Sequence, residues 1–354
     1  MKVFATDQFV LPLPAGHTFP IAKYARLRER VVAAGLAGPD DLRVPEAAGD
    51  EDILRVHDPA YLQRVREGSL TAVELRVLGL PWSPGLVERS LRSCGATLAA
   101  ARAALEENPV REARTSGRLA VAINLAGGTH HAFSDHGAGY CVFNDAAVAA
   151  RAMQAEGKAL RIVILDCDVH QGDGTAAIFA GDPTVFTFSI HGARNYPLRK
   201  QASDLDIALE DGTADAEYLE ALERGLEAGI EHSEADLAIY LAGADPFEGD
   251  RLGLVGTVVP GGPGDFRQPP ADGEEARAAD AVLADGPDLV GAGRRVGGDL
   301  ERELVRLDEG RLEAGVIEVE SGDVLNIGAG DGQRHGRAGP PPRGKTRSSR
   351  GWGS

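Results

Sequence analysis

Residues 161–175 read RIVILDCDVHQGDGT, and no other stretch constrains the fold as tightly. An unbroken run of Ile, Val and Leu is the pattern of a strand buried on both faces, as in a parallel sheet covered by helices. The run ends in Asp166, Asp168 and His170, at alternating positions. Side chains two apart on a strand share a face, so the three polar groups converge if extended backbone reaches that far. Gly172 and Gly174 then let the chain turn sharply. Two carboxylates and an imidazole at the end of a buried strand suit a hard or borderline metal ion.

The first 250 residues alternate helix and strand. Helical patterns cover 21–36, 58–67, 83–108, 145–157, 175–179 and 214–229, and apolar strand runs cover 119–125, 184–190 and 237–242. Such alternation predicts an α/β fold around one parallel sheet, with ligands gathered just beyond the strand ends. A chain of 354 residues with 43% hydrophobic content can fill one large α/β core or two small ones. A formal net charge of −17 argues against a nucleic-acid partner. Cys94, Cys141 and Cys167 are odd in number and far apart, which fits a reducing cytoplasm better than a disulfide framework. The N-terminus, MKVFATDQFVLPLP, reads as a strand and loop rather than a secretion signal, and no apolar run is long enough to span a bilayer.

Asp168 and His170 can each supply one metal ligand, and Asp245 in LAGADPFEGD, beyond the strand 237–242, can supply a third. That set would leave positions on zinc open for water and a substrate carbonyl. Taken alone, the Asp-x-Asp-x-His run reads equally as caps of the following turn with His170 in a loop. The remote strand end at Asp245 tilts the balance toward a metal. His130 and His131 in GGTHHAF are suited to proton transfer near neutral pH. The blander reading is one exposed ring and one ring bonded to a backbone carbonyl, and His136 reads as a loop histidine. The run GAGYCVFND, residues 137–145, places Tyr140 and Phe143 beside small residues, as a channel rim or as core, and Tyr196 carries the same ambiguity. The glycine pairs complete neither a phosphate loop nor a dinucleotide fingerprint.

In this order, GGTHHAF, GAGYCVFND, DCDVHQGDGT, FSIH and GADPFEGD resemble the zinc-dependent histone deacetylase superfamily, which includes acetoin-utilisation proteins and acetylpolyamine amidohydrolases. HTFPIAKY and VHDPAYL look most like its class IV-like bacterial branch. The resemblance covers residues 1 to about 253 and implies a three-layer arginase/deacetylase fold, a single domain around a parallel sheet. It implies Zn2+ on Asp168, His170 and Asp245, with His130 and His131 as tandem proton carriers and Asp166 and Asp173 as their carboxylate partners. It further implies a structural monovalent cation near Asp166 and Ser189. Gly139 and Tyr140 would line an acyl-lysine channel, with Tyr196 across from Tyr140. The implied substrate is an acylated lysine peptide or an acetylated small amine, hydrolysed in the cytoplasm without nucleic acid or membrane. Two other readings stand beside it: a catalytically weak metal protein that binds acyl-lysine, and a binuclear manganese ureohydrolase. Gln171 and Gly172 after the histidine, and Pro246 after Asp245, speak against the second.

Beyond residue 250 the composition changes. No tyrosine follows Tyr240, and Phe266 and Trp352 are the remaining aromatic residues. The family's oxyanion donor is usually a tyrosine in a GGY-type loop, yet Gly261–Gly262 precedes Pro263 and Gly297–Gly298 precedes Asp299. The family's last core strands are not recognisable either. Leu300, Leu304 and Leu307 fit one face of a short helix, residues 316–327 fit a hairpin turning at Ser321–Gly322, and 335–354 read as a disordered basic tail. The expected organisation is a deacetylase-like domain over 1–253, an atypical segment over 254–334 and the tail. A change of reading frame near Gly253 would account for the break; divergence with a substitute donor is the alternative.

Overall fold

The computed structural model describes residues 1–107, 120–250 and 252–256, and the backbone of 314–320. In chain order the elements are β1 (Lys2–Phe4), α1 (Lys23–Ala33), β2 (Leu42–Arg43), α2 (Asp50–Ile53), α3 (Pro59–Glu67), α4 (Ala72–Leu78), α5 (Pro84–Glu107) and β3 (Ala120–Asn124). There follow α6 (Asp145–Ala155), β4 (Ile162–Asp166), α7 (Asp173–Ile178), β5 (Val185–Gly192), β6 (Leu205–Leu209), α8 (Asp215–Ser233), β7 (Leu237–Gly243) and β8 (Ala314–Glu320). The strands form one sheet in the order β2-β1-β3-β8-β7-β4-β5-β6. Every pairing is parallel.

Burial explains why the apolar runs become central strands. All five residues of β4 are buried. Ile162 and Ile164 join Ile239, Leu241 and the alanines of α5 and α6 in one core. Val163 and Leu165 point the other way, into a second core with Phe188, Leu222 and Leu226. Helix α8 lies close to the sheet because Gly225 has no Cβ; one placed there would collide with the Phe188 ring. The result is the helix–sheet–helix layering that a doubly buried strand requires.

The strand 162–166, the strand at 237 and the helices near 59, 84 and 145 fall where the sequence places them. Helix α7 begins at Asp173, two residues earlier than the expected start, so this carboxylate sits in the first helical turn. Four elements that the sequence reading passed over are β2, at one edge of the sheet, β6, which extends it beyond β5, and the short helices α2 and α4. Helix α4 opens on a Thr71–Glu74 capping box and closes on Gly79 in the left-handed region.

The hairpin expected over 316–327 is corrected. Strand β8 lies between β3 and β7 and pairs in parallel with both, so neither edge is left for an antiparallel hairpin arm. Val316, Ile317 and Val319 supply the apolar character that a central position selects. The second arm, the 300–307 helix and the 335–354 tail lie outside the described residues. Just past Gly253, the backbone is tied to the loop before α8: Gly212 N–H donates to the Leu254 carbonyl at 2.8 Å and Gly256 N–H to that of Thr213 at 3.1 Å.

Candidate metal centre

At the carboxyl ends of β4 and β7 the two strand ends meet. Asp168, His170 and Asp245 each present one ligand atom, and these atoms lie within 4.8 Å of one another. His170 Nδ1 is 2.9 Å from Asp168 Oδ1 and 3.0 Å from Asp245 Oδ2. The loop is fixed by its own backbone: His170 N–H donates to Asp168 Oδ1 at 2.7 Å, and Val169 N–H donates to Asp245 Oδ1 at 2.9 Å. A Cβ at Gly243 would press on the Asp168 Cα at 2.6 Å, so β7 can approach this closely only with glycine there.

Electrostatics show which charge the cluster favours. Burial alone would lower the His170 pKa, but hydrogen bonds and charge from Asp168 and Asp245 outweigh it and push it up to about 10. Burial, with the nearby Asp168 charge, pushes Asp245 upward. Two buried carboxylates therefore favour a positive charge between them. A small divalent ion with one nitrogen and two oxygen donors fits that place, with coordination positions left over.

A testable consequence concerns protons. With Asp168 and Asp245 pushing the His170 pKa up to about 10, an ion that binds there at pH 7 is expected to displace a proton from it. Zinc titration at pH 7 is expected to release at least about one proton, since Asp245 is also pushed up to about 7, with apparent affinity falling roughly tenfold or more for each unit of pH lowered. Calorimetry in buffers of different ionisation enthalpy measures both, and a pH-independent affinity would show that His170 is not a ligand.

The tandem histidines stand beside the cluster, both buried. His130 Nδ1 bonds Asp166 Oδ2 at 2.7 Å, and His131 Nδ1 bonds Asp173 Oδ1 at 2.6 Å. Carboxylates accept, so each Nδ1 donates and each Nε2 is left for chemistry. Their ring centroids are 4.1 Å apart, and His130 Nε2 is 4.0 Å from Asp168 Oδ1. Burial and the neighbouring His130 pull the His131 pKa down to about 4, against Asp173, so this ring is neutral at pH 7. Burial raises the pKa of Asp166. At Gly172 a Cβ would collide with Asp166 Oδ2, so only glycine leaves room for the His130–Asp166 pair.

The remaining sequence candidates fall around this centre. Gly139, at φ 52°, lies flat against His131; a Cβ there would sit 2.5 Å from the ring. Tyr140 follows at φ 68°. Both amides donate to carbonyls at the end of α4, Gly139 to Val77 and Tyr140 to Leu78. The Tyr140 ring packs toward the N-terminal loop, 5.2 Å from Phe19, with its hydroxyl 3.2 Å from Thr18 Oγ1. Tyr196 stands edge-on to His131 at 4.8 Å, 41% exposed, and burial pushes its phenol up to about 12. Ser189 is the register partner of Asp166 on β5 and is buried, with its Oγ 3.0 Å from His191 Nδ1. His136 is apart from the cluster, half-exposed, stacked on Phe133 and bonded to Asp135.

Sequence reasoning passed over the residues that hold the histidine loop. Asp145 Oδ1 accepts from both the backbone N–H and the hydroxyl of Thr129. Asn144 caps α6 and reaches back to the loop with its amide. His57, from the turn before α3, donates from Nδ1 to the Phe133 carbonyl at 2.9 Å and accepts at Nε2 from Asn144 N–H at 3.0 Å. Burial draws the His57 pKa to about 4, so it keeps both bonds as a neutral ring. The available signal was the Asn-Asp pair just before an alanine-rich helix, which marks an N-cap.

A family model described as the histone deacetylase domain matches residues 17–260. An uncharacterized protein of Picosynechococcus is 43% identical over 247 residues, covering 70% of this chain and 78% of that one. The acetoin utilization protein of Bacillus subtilis is 32% identical over 239 residues, covering 62% of this chain and 59% of its own length. A histone deacetylase-like amidohydrolase of Pseudomonas aeruginosa is 29% identical over 248 residues, covering 66% and 62%. Among solved structures, the HD domain of HDA15 superposes with a TM-score of 0.65 at 20% identity, covering 92% of this chain and 84% of that domain, so the two share their fold. Among the described residues, no helix is long and apolar enough to cross a membrane.

Proposed function

The chain belongs to the histone deacetylase family, and from that premise we propose that it hydrolyses the amide of an acylated lysine or a similar acylated amine, using one zinc ion held by Asp168, His170 and Asp245. One observation carries this reading: three converging ligand atoms stand beside two buried imidazoles, each oriented by its own carboxylate. When bound, zinc supplies Lewis acidity to the amide carbonyl and to water.

The chain's own groups account for the proton traffic. His131, neutral through burial, accepts a proton at Nε2 from the attacking water. His130, held by Asp166 and acting as the imidazolium, delivers one at Nε2 to the leaving amine nitrogen, and the proton taken by His131 restores the charge of the pair. Asp173 and Asp166 fix the ring orientation and the Nδ1 tautomer of the pair. Gly139 and Tyr196 both lie against His131, and the alkyl chain of the substrate would run beside them. A monovalent cation beside Asp166 and Ser189 and a cytoplasmic location belong to the same proposal, in a domain that extends past residue 253 because β8 lies in its sheet between β3 and β7.

Negative charge that develops on the carbonyl oxygen needs a donor, and the chain has no tyrosine after Tyr240 to provide it. Loss of one preorganised donor lowers the rate about 100- to 1000-fold. A panel of acyl-lysine peptides and acetylpolyamines, with and without chelator, tests the reading. Zinc-loaded protein is expected to turn over at least one of them, about 100- to 1000-fold more slowly than a tyrosine-bearing family member, and chelator is expected to stop it. Hydrolysis that ignores chelator would refute the zinc mechanism. Bound zinc with no turnover would favour the second reading, a metal protein that binds acyl-lysine, for which the missing tyrosine speaks.

A further inference from the structure

The histidine pair sits on an irregular segment, residues 125–134, which belongs to neither strand nor helix. Proton transfer needs both Nε2 atoms placed to within a fraction of an ångström, and loop backbone does not provide that by itself. The carbonyls on either side of His131 are those of His130 and Ala132. Both accept from one group, Asn144 Nδ2, at 3.3 Å each. The same amide donates to Thr175 Oγ1 at 2.9 Å. Thr175 in turn bonds the His130 carbonyl, from its backbone N–H at 3.1 Å and from its hydroxyl at 3.4 Å.

Asn144 is itself fully buried and has little freedom. Its Oδ1 caps α6 by accepting from Ala147 N–H at 3.0 Å. Its backbone N–H is fixed by His57 Nε2, and the other nitrogen of that ring holds the Phe133 carbonyl. Three elements remote in sequence, the turn before α3, the start of α6 and the start of α7, therefore grip residues 130–133 from behind. None of these contacts involves a metal ligand.

We propose that Asn144, braced by His57 and Thr175, is the positioning residue of the tandem histidines, its side-chain amide setting the backbone on both sides of His131 and so the aim of both rings. The proposal rests on the deacylase reading only for its kinetic consequence; the ring geometry is observable without turnover. Asn144 does two jobs, capping and clamping, and two substitutions separate them. Asn144→Ala removes both. Asn144→Ser restores a good helix cap but cannot reach the two carbonyls.

The experiment compares the full-length variants by melting temperature, zinc stoichiometry, steady-state kinetics on an acetyl-lysine peptide, and proton NMR of the imidazole Nδ1–H signals. Asn144→Ser is expected to recover most of the melting temperature lost in Asn144→Ala and to bind one zinc. Its kcat should stay about 10- to 100-fold down with KM changed less than about threefold, and the Nδ1–H signals of His130 and His131 should be shifted or lost. Recovery of kcat and of both signals in Asn144→Ser would overturn the proposal, since the cap alone would then suffice. If the Asn144 variants do not fold, Thr175→Val keeps the shape, removes the hydroxyl link and should shift the same signals; unchanged signals there would also overturn it. If the wild-type protein shows no turnover, the deacylase reading fails, and the NMR signals alone decide the role of Asn144.

Discussion

Asp245→Asn is expected to reduce zinc content from one ion per chain to near zero and to lower amide hydrolysis by about 1000-fold or more. The size follows from the several kcal/mol of stabilisation that a bound ion supplies, at about 1.4 kcal/mol per tenfold in rate. The substitution is nearly isosteric. Asn Oδ1 can still accept from Val169 N–H, the 2.9 Å bond that holds the loop. What changes is the atom 3.0 Å from His170 Nδ1, a carboxylate oxygen in the wild type and an amide NH2 in the variant. One of two buried negative charges disappears, so the metal-free protein should melt close to the wild-type temperature, while the gain in melting temperature on adding zinc should be lost. Stoichiometric zinc in the variant would place the ion elsewhere and remove the basis for the proposed chemistry.

The central strands and the convergence of Asp168, His170 and Asp245 were legible because each rests on a strong physical signal. An apolar run that ends in alternating carboxylates and an imidazole leaves few options: the run must be buried, and the polar ends must share a site or pay heavily for desolvation. Asp245 could be connected to Asp168 through the parallel-sheet expectation and the family resemblance, and β4 and β7 are indeed neighbours, with Asp166 opposite Leu241. Asp166 and Asp173 as partners of the two histidines came from family resemblance, and which acid reaches which ring is decided by the structure, since nothing in sequence spacing dictates it. What stayed hidden is mostly backbone accounting. His57 and Asn144 act by filling the hydrogen-bonding needs of a loop, and a loop's unsatisfied carbonyls leave no trace in the sequence. Strand β8 was misread for a related reason. A short apolar run with turn residues after it fits a hairpin arm and a buried parallel strand equally well, and only the gap between β3 and β7 decides between them.

His131→Gln is expected to lower kcat by about 100- to 10,000-fold, the usual range for removing a proton-transfer group, with one zinc retained. Glutamine is the informative replacement because its amide can still donate to Asp173, which is buried and would otherwise lose its 2.6 Å partner. A loss of less than about tenfold would mean that His131 is not a proton carrier. The wild-type pH profile gives an independent check. A base works when deprotonated, and burial together with His130 holds His131 near 4. With zinc kept saturating, the rate should therefore stay nearly level from pH 7 to 5.5. A histidine at its ordinary pKa of about 6.5 would lose nearly nine-tenths of its activity across that interval. A steep fall with zinc still bound would show that the base titrates near its solution value, and that the buried pair of His131 and Asp173 is not the group that takes the proton.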